Sequence, residues 1–185
     1  MLIQRRRALL TGIGLLAMRP AFGQTVTQVV PSSQRMFQTT TSVGNGADTT
    51  EDVLQTYTLP VGVFANIGDT ILIQASGTLG ATTDSKVMRI KCGGTAVSFT
   101  PTATLTTQTQ WRLQTSIQKR GSTLQTVDSI GSLSGASGTT NTQSIQINAN
   151  DTIAMIITIT GQNNTSSVAG SITCQYVTID YIRAA

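Results

Sequence analysis

The 185-residue sequence contains no histidine and a single glutamate, Glu51. Without histidine there is no Ser-His-Asp or Cys-His relay, and most zinc sites are excluded. The other acids, Asp48, Asp52, Asp69, Asp84, Asp128, Asp151 and Asp180, are scattered along the chain. A glycosidase needs two carboxylates held across one bond. Asp128 and Asp180 fall in strand-like runs where one could face a cleft, but nothing in the sequence pairs them. Gly93 and Gly94 follow a strand-like run without a phosphate-loop lysine or a dinucleotide fingerprint, so they read as a turn. The chain is therefore expected to be non-enzymatic, with no catalytic residue, cofactor or metal.

Charge is scarce as well. Charged residues make up 11% of the chain, against about 25% in an ordinary globular domain. The net charge of +4 is accounted for by Arg5, Arg6, Arg7 and Arg19, so the remainder is neutral. A neutral body offers no basic patch for a phosphate backbone, and no nucleic-acid partner is expected. Aromatics are 4%, which leaves Ile, Val, Leu and Ala to build the core. The only tryptophan, Trp111, shares parity with Leu113 and Ile117, and reads as a core or sheet-edge anchor rather than a sugar platform.

Two cysteines are too few for a disulfide scaffold. Cys92 shares parity with Met88 and Ile90, so it should face the core. Cys174 shares parity with Ile172 and Tyr176 in a stretch of mixed alternation. The pair reads either as two buried free thiols or as one Cys92–Cys174 bridge between distant strands.

Short alternating apolar and polar runs fill the chain from about residue 53 onward. Trp111, Leu113, Thr115 and Ile117 share one parity; Arg112, Gln114, Ser116 and Gln118 share the other. Ile153, Met155, Ile157 and Ile159 alternate likewise. Side chains of a strand alternate between faces, so this pattern predicts sheets with one buried and one wet face. Eight strands are predicted, near 53–59, 69–79, 86–92, 110–119, 123–133, 143–147, 152–160 and 171–182, with 96–99 extending the third. Gly, Asn and Pro breakers separate them. The expected fold is all-β: an antiparallel, jelly-roll-like β-sandwich of about eight strands over residues 51–185, with an N-terminal extension.

One short pattern occurs twice. Asn66, Gly68, Asp69 and Thr70 are echoed by Asn148, Asn150, Asp151 and Thr152. Asp69 or Asp151 as a calcium ligand would need further nearby carboxylates, which neither stretch has. The pattern reads as two equivalent turns closed by Asx side chains. Lys119, Arg120 and Gly121 read as a solvated hairpin tip.

Residues 1–23 look like an export signal. Three arginines precede an apolar stretch at 8–18, and Ala21 and Gly23 supply small residues for cleavage between Gly23 and Gln24. The run around Arg5 and Arg6 resembles a twin-arginine signal. The apolar stretch is too short to span a bilayer, which takes about 20 residues. The competing reading is a retained anchor that packs into a larger assembly. Residues 24–50, rich in Gln, Thr, Ser and Gly, read as a polar linker or an arm that packs on a neighbour.

Several stretches occur together in a fixed order: Leu54 to Pro60, Ala65 to Asp69, Ala75 to Thr78, Lys86 to Ile90 leading into Cys92, Gly93, Gly94 and Thr95, and finally Trp111, Arg112 and Leu113. In this the chain resembles a family of tailed-phage and prophage structural β-domains, over roughly residues 53–183. The resemblance implies a jelly-roll-like domain of a virion appendage: a tail fibre, spike or head decoration. It further implies a homo-oligomer, a trimer favoured, with other virion proteins and a host surface glycan as partners. Virion proteins need no export signal, so residues 1–23 hold open a second reading. That reading is an exported periplasmic or secreted binding module, perhaps for carbohydrate.

Overall fold

The computed structural model describes residues 33–100, 107–134, 140–165 and 168–184. Eleven strands run through them: β1 (Ser33–Thr39), β2 (Val43–Gly44), β3 (Asp52–Leu59), β4 (Thr70–Leu79), β5 (Lys86–Cys92), β6 (Thr95–Phe99), β7 (Thr109–Lys119), β8 (Gln125–Leu133), β9 (Thr140–Ile147), β10 (Met155–Asn163) and β11 (Ile172–Ile182). Every pairing between them is antiparallel. The larger sheet has the order β1-β11-β4-β7-β8-β9, with β2 also on β11; the smaller is β3-β10-β5-β6. Among the described residues there is no helix long and apolar enough to cross a membrane.

Strand order identifies the sandwich type. Set aside β2 and the β8–β9 hairpin, and number the remaining eight strands in chain order. They then lie as 1-8-3-6 in one sheet and 2-7-4-5 in the other. This is the jelly-roll arrangement, in which early and late segments of the chain interleave in both sheets. The β8–β9 hairpin widens the larger sheet beyond β7, and β6 packs against it.

Period-2 burial produces the core. In β4, Ile71, Ile73, Ala75 and Leu79 point inward while Thr70, Leu72, Gln74, Ser76 and Thr78 do not. In β7, Trp111, Leu113, Thr115 and Ile117 are buried, as their parity predicts. From the smaller sheet Met88, Ile90, Ile157 and Ile159 meet them. Gly131 lets the sheets close: a Cβ there would lie 2.3 Å from the buried Phe99 ring of β6.

The strand count exceeds the expected eight because β1, β2 and β6 are strands in their own right. Residues 33–39 and 43–44, expected in a linker or arm, pair with β11 of the same chain. The described residues, 33–184, belong to one compact unit, so the sandwich begins earlier than residue 51. Phe37 of β1 packs on Tyr57 of β3 with ring centroids 5.2 Å apart, joining the two sheets. Residues 96–99 do not extend β5. They turn back as β6 through Gly93 and Gly94, whose φ angles of 56° and 90° suit a two-residue primed hairpin turn. Strand β10 starts at Met155, so Ile153 lies in the preceding turn and is 59% exposed rather than inward.

Candidate functional site

Neither cysteine is bridged. Cys92 enters the core from β5, its Sγ against Met155 Sδ. Cys174 sits in β11 of the opposite sheet, its thiol 3.9 Å from Tyr176 O. The expected alternative of a Cys92–Cys174 bridge is thus replaced by two separate buried thiols. Burial pushes both up to about 12, with the Tyr176 backbone opposing this slightly at Cys174. The thiolate is the reactive form. A thiol reagent at pH 8 should therefore label neither cysteine in the folded chain and both after unfolding without reductant; a bridge would leave none to label.

Asp69 and Asp151 divide the roles of the repeated turn differently from the expected symmetry. Asp69 is buried; its Oδ2 accepts from Asn66 N at 2.8 Å and its Oδ1 from Ala184 N at 3.0 Å. In the second turn Asn150 does this work, accepting from Thr152 N at 3.0 Å and Thr152 Oγ1 at 2.7 Å. Asp151 instead faces Lys119, with Oδ2 2.6 Å from Nζ. That lysine is no solvated hairpin tip. Its side chain is 11% exposed, its Nζ also donates to Phe64 O at 2.6 Å, and its backbone exchanges bonds with Gly68 and Asp69. One ammonium thus ties both echoed turns together. Arg120 alone keeps the expected exposed position, at the hairpin tip.

Asp128 and Asp180 are held apart. They occupy one row across the larger sheet, with Leu72 and Ser116 between them. Three strand spacings put them about 14 Å apart. Retaining and inverting glycosidases need carboxyl groups about 5–9.5 Å apart. Asp180 is moreover ion-paired with Arg35, and Asp128 stands exposed. Among the described residues no three acid or cysteine side chains gather as a metal site requires. The proposed cleavage point at Gly23 and Gln24 lies outside the described residues.

Three charged clusters brace the body. On the smaller sheet Glu51 accepts from Thr160 Oγ1 and from Lys91 Nζ at 2.7 Å, with Arg89 at 3.4 Å. Burial pushes the Glu51 carboxyl up, but these hydrogen bonds and charges outweigh it and hold it below its ordinary 4.5. Burial likewise works against the Asp69 carboxylate, and its backbone and Tyr181 hydrogen bonds hold it below its ordinary 3.8. Carboxylates with depressed folded values contribute stability above the ordinary value and lose it as pH falls through the folded one. The thermal midpoint should therefore stay flat down to about pH 5 and fall below it. Asp69→Asn, measured across the same range, should flatten part of that fall. The third cluster is Lys86, whose buried Nζ is caged by Thr82 O, Thr82 Oγ1 and Asp84 O at 2.5–3.3 Å. Burial lowers its pKa, with the Asp84 charge opposing.

The concavity with a composition of its own lies on the wet face of the larger sheet. It is a cleft of about 320 Å³ lined by Ser76, Gln110, Arg112, Ser132, Ser134 and Gln175. Ladder register places Ser76, Arg112 and Ser132 side by side on β4, β7 and β8. Gln175 reaches the same place by a different device. The β11 ladder slips between Cys174 and Tyr176, leaving Gln175 as an unpaired, exposed bulge residue. Bulges re-aim a side chain and recur beside binding sites. Trp111 fixes the bulge from beneath: it is 1% exposed, and its Nε1–H donates to Thr173 O at 3.0 Å. Gly77 makes room for the bulge, since a Cβ there would sit 1.8 Å from Thr173 O. Trp111 is thus a core anchor, as its parity predicts.

Sequence reasoning placed Arg112 on a wet face but did not single it out, and it missed Gln175. The mixed alternation around Cys174 was the one signal of the bulge. No protein-family model and no curated protein matches the chain.

Proposed function

We propose that this chain is a non-enzymatic structural or adhesive component of a virion appendage, acting through the wet face of its larger sheet and self-associating. The observation that supports this reading is the chemistry of that face. On the outward positions of β4, β7 and β8 the only ionisable side chains are Arg112 and Asp128; the rest are Thr, Ser and Gln with Leu72 and Ile130. Interface cores are depleted of charge because stripping water from an ion is costly, whereas hydroxyls and amides re-form their hydrogen bonds across a contact. Val61, Ile67 and Ile153, each 59–68% exposed, add an apolar end on the two turns that Lys119 joins. Of the pieces that resemble phage structural β-domains, two form turns and the others lie mainly within strands. Gly93 and Gly94 make the β5–β6 turn, Asp69 closes the turn before β4, and Trp111 and Arg112 straddle the two faces of β7.

The cleft favours a second reading, an exported binding module for a small polar ligand. N-terminal sequencing of the native protein together with its solution mass separates the two. Retained Met1 in an oligomer is the outcome expected for assembly; Gln24 as first residue in a monomer is the outcome expected for export.

A further inference from the structure

We propose that the cleft at Arg112 holds the terminal sugar of a carboxylated saccharide, its carboxylate on the Arg112 guanidinium and its hydroxyls on Ser132 and Gln175. This rests on the adhesive reading above and names the ligand class for that face.

The electrostatics of the cleft are those of one uncompensated cation. Arg112 is exposed, and among the described residues no carboxylate pairs with it. Its ladder partner is Ser132, and Asp128 lies four residues further along the same strand, about 13 Å away. A planar guanidinium with free N–H groups matches a carboxylate in bidentate geometry. The other polar side chains of the lining are neutral and can both donate and accept: the Ser76, Ser132 and Ser134 hydroxyls and the Gln110 and Gln175 amides, over a floor of Gly77, Trp111 and Leu133. A ligand complementary to this lining carries one negative charge and several hydroxyls.

Other ligand classes fit less well. The cleft sits on central strands whose backbone groups are engaged in the ladders, so a peptide cannot add as a strand there. A phosphate site gathers free backbone N–H groups or several cations, and here there is one cation and no free N–H row. Single-stranded nucleic acid needs exposed aromatic faces, and the Trp111 ring is buried. A volume of about 320 Å³ is at the small end of ligand sites, which start near 300 Å³, and suits one sugar residue rather than an enclosed chain. With no exposed ring among the lining residues, each site binds weakly and gains by display in several copies.

Saturation-transfer NMR on the full chain tests this, with glucuronic acid and N-acetylneuraminic acid as probes against glucose, galactose and glucose 6-sulfate. The acidic carboxylated sugars should receive saturation, and the neutral sugars should receive little. The signal should fall as salt is raised. Arg112→Gln should weaken carboxylate binding about tenfold or more without moving the thermal midpoint, since among the described residues the guanidinium has no ion-pair partner. Gln175→Ala should weaken it less. Equal response to acidic and neutral sugars, stronger response to the sulfated sugar, or wild-type binding by Arg112→Gln each overturns the proposal. A chain that assembles on particles but ignores carboxylated sugars sinks this inference and leaves the structural reading standing. A chain that binds them through Arg112 yet is absent from particles does the reverse.

Discussion

Replacing Lys119 by alanine is expected to destabilise the sandwich by about 3–5 kcal/mol, the cost of breaking a buried ion pair from one side. The Asp151 side chain is 7% exposed, and its Oδ2 accepts no hydrogen bond from another described group. Removing the ammonium strands that carboxylate and also frees Phe64 O, which lies 2.6 Å from Nζ. The two turns that precede β4 and β10 lose their shared tie. Urea unfolding at neutral pH measures the loss. The double variant Lys119→Met with Asp151→Asn should recover a large part of it, because no buried charge is left unpaired. A single-variant cost below about 0.5 kcal/mol would mean that the pair behaves as a surface salt bridge.

Trp111→Ala is expected to cost a similar amount, about 3–5 kcal/mol. Its ring is among the largest fully buried side chains, and its Nε1–H satisfies Thr173 O beside the β11 bulge. Trp111→Phe separates the two contributions. It keeps most of the packing but leaves the carbonyl unpaired, for about 1–3 kcal/mol. If Trp111→Phe were neutral, the bulge would not depend on that hydrogen bond. Both variants should also weaken any ligand that uses Gln175, because the bulge aims that side chain.

Much of this fold is legible in the sequence, for a physical reason. Strands that are half buried must alternate, so β4, β7 and β5 announce their faces residue by residue. Gly93 and Gly94 announce their turn. Edges and bulges are less legible. Strand β1 lies at the sheet margin with mostly exposed residues, and its ladder slips between Arg35 and Phe37, which breaks the alternation. The start of β10 is misread because Ile153 continues the parity of Met155 while belonging to the turn. Lys119 is misread because its neighbours Arg120 and Gly121 do form a hairpin tip, and only the fold brings Asp151 and Phe64 to its ammonium. The cleft is the least legible feature of all. Its residues come from four strands spread across a hundred positions, and one of them is placed by a bulge whose one sequence signal is the mixed alternation around Cys174.

The jelly-roll order itself comes from pairings between the two ends of the chain, β1 with β11 and β3 with β10. A body closed in this way presents broad sheet faces, and here the outward positions of the central strands β4, β7 and β8 carry only Arg112 and Asp128 as ionisable side chains. These features support the proposal that this protein works through contact.

Quantitative mass spectrometry of purified phage particles from the producing strain tests that claim most directly. Peptides of this chain are expected in fixed proportion to the other structural proteins, retained through gradient purification. Their absence from every particle fraction, with the chain recovered as a soluble monomer, would contradict it.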